Sequence, residues 1–269
     1  MSKVQAVIFD WAGTMLDFGS FAPTSIFVEA FKSGFDFDVS LAEARVPMGL
    51  SKIDHIREVG KIPAVDARWR AQHGHSMTEE EVVTIYKLFM PLQIAKVCDH
   101  AIAIPGAVDV LKELRSSNIK VGSCTGYPRE VLDKLLPTAA DIGIAPDYVV
   151  ASDDLPQGGR PGPFMALKNV IELGVTNVSE CIKVDDSAPG IAEGLNGGMW
   201  TVALLLSGNE AGLTQAEFES LDEAGLEAAR SKARQVFADS GAHFMIDTIA
   251  DLPGVIAEVE ARLAQGIKP

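Results

Sequence analysis

The feature that most constrains the fold is a short apolar run that ends in a carboxylate. Residues 4–9 are mostly apolar, and Asp10 follows them directly to open the segment Asp-Trp-Ala-Gly-Thr at 10–14. Such a pattern is typical of a buried parallel strand that carries a reactive group to its carboxyl end. Glycine and alanine let backbone amides approach an anion closely, and Thr14 can cap the chain as it turns away.

Three later segments repeat this organisation. The run 119–124 continues into a threonine and a glycine at 125–126, and the run 182–184 continues into two aspartates at 185–186. Between them, the proline-rich turn 160–163 begins with an arginine. Together with the first segment, they supply a nucleophilic carboxylate, a phosphate-binding hydroxyl with backbone amides, a cation and carboxylates for a metal. This set is typical of phosphoryl transfer, which consists mostly of positioning and charge neutralisation.

In this order, the four segments resemble the haloacid dehalogenase superfamily of aspartyl-phosphate enzymes. The resemblance covers almost the whole chain, apart from a gap between Thr14 and about Gly106. It implies an α/β fold with a Rossmann-like, mostly parallel sheet core and helices on both faces, plus an inserted all-helical cap domain. We expect the core to comprise residues 1–20 and 101–269, and the cap to comprise residues 21–100.

The resemblance also implies a nucleophile and a cofactor. Asp10 would attack phosphorus, and Mg²⁺ would be held by the carboxylates of Asp10 and Asp186 and by the backbone carbonyl of Ala12. Ligation by oxygen atoms suits that hard cation. Asp185 is either a further ligand or an outer acceptor of hydrogen bonds.

Two departures from the superfamily pattern point to one family within it. Most members have a second aspartate two residues after the nucleophile as general acid and base, whereas this chain has Ala12. The segment Pro-Met-Gly-Leu-Ser-Lys-Ile-Asp-His at 47–55, taken with 10–14, resembles the phosphonatases (phosphonoacetaldehyde hydrolases). The stretches 123–127 and 197–202 resemble the same family. Its members cleave a carbon–phosphorus bond through a lysine imine.

The two departures explain each other chemically. Without an oxygen leaving group, an acid at position 12 has nothing to protonate. A carbanion is a poor leaving group, and an imine between Lys52 and the substrate aldehyde provides an electron sink that releases an enamine instead. The resemblance therefore implies hydrolysis of phosphonoacetaldehyde to acetaldehyde and phosphate, in 2-aminoethylphosphonate degradation.

The lysine chemistry requires particular neighbours. The reference pKa of lysine is about 10.4, so burial or a nearby cation must lower that of Lys52 by about two units. His55 lies three residues further on, on the same face of a predicted helix. The resemblance implies that it shuttles protons during imine formation and hydrolysis. The resemblance assigns substrate and phosphate binding to Thr125, Gly126, Arg160, Met48 and Tyr127.

Each of these residues also has a simpler interpretation. Asp10 could cap a helix, and Asp185–Asp186 could be a charged N-cap pair. Lys52 could be a solvated lysine at a helix start, and His55 an ordinary surface histidine. Arg160 could pair at the surface with Asp153 or Asp154.

Two alternative functions follow from the same residues. The first is a capped magnesium phosphatase or phosphomutase that acts on a small phosphate monoester. Ala12 weighs against it, since loss of general acid–base help costs roughly 10²–10⁴-fold. The second is a catalytically silent relative that binds a phosphorylated metabolite or a partner protein. The presence of Asp10, Thr125 and Asp186 weighs against this.

Composition narrows the expected partners and location. A net charge of −14 argues against nucleic acid and anionic membranes as partners. Three cysteines cannot all pair with one another, so reduced thiols and a cytoplasmic location are expected. We recognise no signal peptide or membrane span, and the resemblance implies a homodimer formed through cap helices.

The periodicity of apolar residues predicts the remaining elements. In the cap, Gly34 is expected to stop a first helix, Thr78 and Glu81 to form a capping box, and Pro91 to kink or break the helix that follows. The linkers are expected at 18–23 and 100–106. After these, we predict helix 107–116, strand 119–124, helix 129–136, strand 147–150, helix 163–173, strand 180–184, helix 188–196, strand 200–205, exposed helices within 212–240, a peripheral strand 243–246 and helix 249–264.

Overall fold

The apolar runs form a six-stranded sheet in which every pair of neighbouring strands is parallel. The computed structural model describes residues 4–269. The strands lie in the order β3-β2-β1-β4-β5-β6. Their bounds are β1 Ala6–Phe9, β2 Lys120–Cys124, β3 Tyr148–Val150, β4 Cys181–Asp185, β5 Trp200–Leu204 and β6 Phe244–Ile246.

The first strand occupies the middle of the sheet, between β2 and β4. Phe9, its last residue, pairs with Ser123 on one side and with Val184 on the other, so the three strands end at the same level. The order of the strands reverses at this point, and open α/β sheets bind ligands in the crevice outside such a reversal. The residues that follow β1, β2 and β4 therefore meet at one edge.

Helices cover both faces of the sheet, as predicted. Val7 and Phe9 belong to one apolar cluster, and Ala6 and Ile8 to another, because successive side chains of a strand point to opposite faces. The helices of the core are α6 Ala107–Ser116, α7 Arg129–Asp141, α8 Phe164–Glu172, α9 Ala188–Asn196, α10 Gln215–Ser220, α11 Glu223–Phe237 and α12 Leu252–Ala264, with short 3₁₀ helices at Val178–Glu180 and Ile249–Asp251.

The insertion between β1 and β2 contains helices and no named strand among its residues 21–100. It has an apolar cluster of its own, in which the rings of Phe27 and Phe89 stack with centroids 4.3 Å apart. Division of the chain at residues 20 and 100 remains a prediction. The helices are α1 Phe21–Phe35, α2 Leu41–Arg45, α3 Lys52–Lys61, α4 Pro63–His73 and α5 Glu79–Lys96, followed by a 3₁₀ turn at Val97–His100.

Most predicted elements are present, but several boundaries differ from the prediction, and the insertion contains the clearest cases. Helix α1 begins at Phe21, inside the expected linker, because Pro23 lies in its first turn, where a missing N–H is tolerated. It continues through Gly34 to Phe35 and is followed by the C-cap Asp36, whose φ of 48° is left-handed. Of the two predicted effects of Pro91, a break is ruled out because α5 continues to Lys96, and a kink stays a prediction.

Two further predictions about helices can be compared with the structure. The predicted capping box of α5 is confirmed: the Glu81 backbone N–H donates to Thr78 Oγ1 at 3.3 Å, and the Thr78 N–H donates to the Glu81 carboxylate at 2.7 Å. Helix α7 extends five residues beyond the predicted end at 136. Within residues 4–269, we find no helix with the length and apolar character that crossing a bilayer requires.

Candidate active site

Nine of the ten site residues predicted from the sequence line one pocket at the carboxyl edge of the sheet. The pocket, including its open mouth, comprises about 290 Å³ of space not filled by atoms. His55, the tenth, lies behind Lys52 and outside the lining. The lining consists of Asp10, Ala12, Ser20, Pro23, Met48, Gly49, Lys52, Thr125, Gly126, Tyr127, Arg160 and Asp186.

Arg160 is the residue that holds the predicted nucleophile. One terminal nitrogen of its buried guanidinium donates to Asp10 Oδ1 at 2.7 Å and to the Cys124 carbonyl at 2.9 Å. Its Nε donates to Glu193 Oε2 at 2.9 Å, and its other terminal nitrogen donates to the Gly49 carbonyl at 3.2 Å. All three guanidinium nitrogens therefore donate hydrogen bonds, and the partner of one of them, the Gly49 carbonyl, belongs to the cap.

The alternative surface role for Arg160 does not hold. Arg129 takes that position: its Nε donates to Asp154 at 2.9 Å, and its backbone N–H donates to Asp153 at 2.7 Å. The N-cap interpretation of Asp185–Asp186 is also wrong. Ser187 is the N-cap of α9, and its side chain accepts from the Gly190 N–H at 3.3 Å.

Three buried carboxylates lie together at the pocket, and two of them, Asp10 and Asp186, line it. Asp10, Asp185 and Asp186 each offer an oxygen atom, and these atoms lie within 4.8 Å of one another. Burial raises the pKa of Asp10 despite the nearby Arg160. Burial, Asp10 and Asp185 together raise the pKa of Asp186 well above its usual range. A divalent cation would relieve this repulsion, so the donor set fits a hard metal ion.

Asp185 differs from the other two carboxylates because protein groups already satisfy it. Its Oδ1 accepts from the Ser187 N–H at 3.1 Å and from the Ser187 hydroxyl at 2.7 Å. Its Oδ2 contacts Lys183 Nζ and lies 3.0 Å from Arg160. Burial raises its pKa, but Arg160 and Lys183 outweigh burial and the net shift is downward. This geometry favours the outer-acceptor interpretation over direct ligation.

Lys52 is buried and not solvated, contrary to the simpler interpretation. It is the first residue of α3, after the N-cap Ser51, and only 4% of its surface is exposed. Its Nζ lies 4.9 Å from the ring centroid of Tyr127 and 5.7 Å from that of Phe27. Its pKa is lowered to about 8, mainly by burial, which outweighs the opposing charge of Asp10 and is assisted by Arg160. This meets the requirement set by imine chemistry.

His55 lies one turn along α3 and is fully buried, so the surface-histidine interpretation is wrong. Its Nε2 is 2.8 Å from the Ala44 carbonyl, and its ring stacks on Phe27 with centroids 3.8 Å apart. A carbonyl only accepts, so Nε2 carries the proton and Nδ1 is left with a lone pair. Within residues 4–269, Nδ1 has no hydrogen-bond partner. Burial and Lys52 hold the pKa of His55 well below 6.5.

The cap touches the core where two glycines permit a close approach. A Cβ on Gly126 would lie 2.5 Å from the Leu50 carbonyl, and one on Gly49 would lie 2.2 Å from Ser187 Oγ. Met48, which is 5% exposed, completes the pocket between them. The segment from Met48 to Leu50 therefore rests directly on the loops that follow β2 and β4.

Sequence reasoning missed several residues of the site. Ser20, Pro23 and Gly49 line the pocket, and Lys183 and Glu193 lie buried beneath Arg160. A signal for the last two was present: each is a charged residue within an otherwise apolar element, where burial demands a partner. Nothing in the local pattern distinguishes Ser20 or Pro23.

Comparisons with known proteins agree with this geometry. The family model of haloacid dehalogenase-like hydrolases matches residues 4–198. Phosphonoacetaldehyde hydrolases of Vibrio parahaemolyticus and Aliivibrio salmonicida are 68% and 67% identical, each over 100% of this chain and 99% of the relative. The crystal structure of a phosphonoacetaldehyde hydrolase-like protein from Oleispira antarctica has a TM-score of 0.95 at 43% identity. That alignment covers 99% of this chain and 96% of the other.

The family assignment rests on sequence identity over full length. A β-phosphoglucomutase-like structure from Bacteroides vulgatus, with a TM-score of 0.66 at 21% identity, shares the fold alone. The chain belongs to the phosphonoacetaldehyde hydrolase family of the haloacid dehalogenase-like hydrolases.

Proposed function

We propose that this protein hydrolyses the carbon–phosphorus bond of phosphonoacetaldehyde to give acetaldehyde and phosphate. The observation that carries the proposal is that Lys52, with a pKa of about 8, shares one small pocket with Asp10, while position 12 has no acid. An amine supplies the electron sink that carbon–phosphorus cleavage needs and that ester hydrolysis does not. The names of the relatives support the same substrate.

The first step is formation of an imine on the cap. The neutral Lys52 amine adds to the aldehyde carbon, and loss of water leaves a protonated C=N bond. His55 would take and return a proton during this exchange; its unpartnered Nδ1 and its position one helical turn from Lys52 support this role. The Tyr127 and Phe27 rings help to exclude water from the amine.

The second step is phosphoryl transfer on the core. An Asp10 oxygen attacks phosphorus and the P–C bond breaks. Its electron pair forms a C=C bond to the imine carbon, while the C=N π electrons move to the protonated nitrogen to give a neutral enamine. Arg160 orients Asp10 and neutralises the charge of the phosphoryl oxygens. The Thr125 hydroxyl and the Gly126 backbone lie on the same wall of the pocket and would bind those oxygens. The product on the core is an aspartyl phosphate.

Hydrolysis of both covalent intermediates completes the reaction. Water cleaves the acyl phosphate to release phosphate and restore Asp10. The enamine gains a proton on carbon, and water then hydrolyses the resulting imine to release acetaldehyde and restore Lys52. Because Lys52 comes from the cap and Asp10 from the core, both halves of the reaction require these two parts of the chain to be in contact.

Asp10, Asp186 and the Ala12 backbone carbonyl would hold Mg²⁺. When bound, the ion would offset the charge of the phosphonate and of the carboxylate cluster. The buried, mutually repelling carboxylates support this assignment. The chain's own residues still perform the attack, the orientation of the nucleophile and the formation of the imine.

We also propose a pathway, a cellular location and an oligomeric state for the protein. Loss of the amine from 2-aminoethylphosphonate by transamination would produce this aldehyde, which supports a role in degradation of that compound. Three unpaired cysteines support a reducing, cytoplasmic location. A homodimer through cap helices, and the absence of nucleic acid or membrane as partners, stay predictions from the family resemblance and from charge.

Borohydride trapping tests the mechanism. The protein is incubated with phosphonoacetaldehyde and Mg²⁺, reduced and digested, and the modified peptide is located by mass spectrometry. We expect a reduced two-carbon adduct on Lys52 that is absent without substrate and absent in Lys52→Met. The matched control is Lys61→Met, since Lys61 lies at the other end of α3 in a surface pair with Glu58 and should not affect trapping.

Two results would overturn the proposal. The first is a folded, metal-binding protein that releases no phosphate from phosphonoacetaldehyde and forms no adduct on Lys52; release of phosphate without an adduct would refute the imine mechanism alone. The second is hydrolysis of ordinary phosphate monoesters that survives Lys52→Met and exceeds hydrolysis of the phosphonate. The second result would favour the capped phosphatase.

A further inference from the structure

Arg45 and Asn209 form a reciprocal contact between the cap and the core. Arg45, the last residue of α2, donates from Nη1 to Asn209 Oδ1 at 3.1 Å, to the Asn209 carbonyl at 3.3 Å and to the Gly19 carbonyl at 2.7 Å. In return, Asn209 Nδ2 donates to the Arg45 carbonyl at 3.2 Å. Each residue therefore binds both the side chain and the backbone of the other.

Asn209 also reaches the candidate metal site. It lies in the loop after β5, is 2% exposed, and its backbone N–H donates to Asp186 Oδ2 at 2.8 Å. The same residue thus holds a carboxylate of the core through its main chain and a helix end of the cap through its side chain. The loop between β5 and α10 was not among the segments singled out from the sequence.

The position of Arg45 along the chain gives this contact a consequence for the reaction. Three residues later, Met48 lines the pocket, and Gly49 accepts from Arg160. Seven residues later, Lys52 begins α3. The segment 46–51 is not helical, so its path depends on what anchors its two ends. Arg45 anchors the end nearer to the N-terminus on the core.

We propose that Arg45 and Asn209 are positioning residues whose contact holds the segment carrying Met48 and Lys52 against the core. Neither side chain lines the pocket, so both act through the residues that do. The consequence for turnover rests on the proposed function, whereas the consequence for the path of the segment does not. A side chain at 45 that cannot donate would leave the segment less well ordered and Lys52 more exposed to water.

The test compares three variants with the wild-type protein. Arg45→Met keeps the length and apolar stem of the side chain but removes the guanidinium, and Asn209→Ala removes the other partner. The control is Arg68→Met, since Arg68 is a cap arginine that pairs with Glu43 inside the cap and, among residues 4–269, has no hydrogen bond or ion pair with the core. Hydrogen exchange of peptides covering 46–52, followed by mass spectrometry, measures the segment independently of activity.

We expect faster exchange over 46–52 in Arg45→Met and Asn209→Ala, and wild-type exchange in Arg68→Met. With phosphonoacetaldehyde, kcat/KM should fall about 10- to 100-fold in each single variant, the range for a lost charged hydrogen bond. The double variant should lose less than the product of the two single losses, because both substitutions remove the same hydrogen bond from Arg45 Nη1 to Asn209 Oδ1. The pH at which the rate levels off should rise, since a more exposed lysine has a higher pKa.

Several outcomes would overturn the inference. Unchanged hydrogen exchange over residues 46–52 in Arg45→Met would overturn it, whatever the activity of that variant. Losses of kcat/KM that multiply in the double variant would show that the residues act independently. A lower kcat/KM with an unmoved pH profile, shared by Arg68→Met, would indicate general destabilisation. If wild-type protein does not hydrolyse phosphonoacetaldehyde at all, the proposed function fails, but the exchange measurement still decides this inference.

Discussion

The pH dependence of imine formation by Lys52 follows directly from its burial. Only the neutral amine attacks an aldehyde, and burial lowers the pKa of Lys52 to about 8. At that pKa, about one amine in ten is neutral at pH 7, against roughly one in 2,500 for a solvated lysine of pKa about 10.4. Burial therefore raises the fraction of neutral, reactive Lys52 at pH 7 about 200-fold.

The shape of the profile is the measurable consequence. The rate of borohydride trapping with acetaldehyde, a product that contains no phosphorus, should rise about fivefold from pH 7 to 8 and less than twofold from pH 8 to 9. The trapping rate must rise with pH, because deprotonation of the Lys52 ammonium creates the nucleophile. Acetaldehyde also separates imine formation from attack by Asp10, because it contains no phosphorus for Asp10 to attack.

The assay is the initial rate of adduct formation on the Lys52 peptide between pH 6 and 10.5, first with EDTA and then with Mg²⁺. A bound cation should move the midpoint lower, since a nearby positive charge disfavours the ammonium. A rate that keeps rising tenfold per pH unit up to pH 10 would refute the reasoning. Such a profile would mean that Lys52 titrates as a solvated lysine.

Three further substitutions test the rest of the site. Arg160→Met should abolish most activity. It should also lower the unfolding free energy, measured in urea, by about 3–5 kcal/mol, because buried carboxylates lose their partner. The control Arg129→Met removes a surface pair and should cost under about 1 kcal/mol. Gly126→Ala should lower kcat/KM about tenfold or more, with little change in Tm, because the added Cβ would meet the Leu50 carbonyl at 2.5 Å. Unchanged kinetics would show that the loop after β2 and the Leu50 segment can move apart. Asp186→Asn should abolish the response of activity to added Mg²⁺, and a normal metal titration would contradict its assignment as a ligand.

The motifs were readable from the sequence because they are local. A strand that ends in a reactive residue is encoded within about ten positions, so the parallel sheet and the placement of Asp10, Thr125 and Asp186 at one edge could be predicted. The helices of the insertion were predicted for the same reason. Helix ends were less accurate: Gly34 and Pro91 are poor helix residues, yet each lies inside a helix that packs on other helices of the insertion.

The chemical state of the site was not readable in this way. The sequence by itself identified Lys52, Asp10 and the absence of an acid at position 12, and hence the kind of chemistry. Tertiary structure decided that Lys52 is desolvated, because the rings that bury it come from both α1 and the loop after β2. It also decided that Glu193 fixes Arg160 and that Arg45 meets Asn209. Such contacts join positions 33 to 164 residues apart, and no local pattern encodes them.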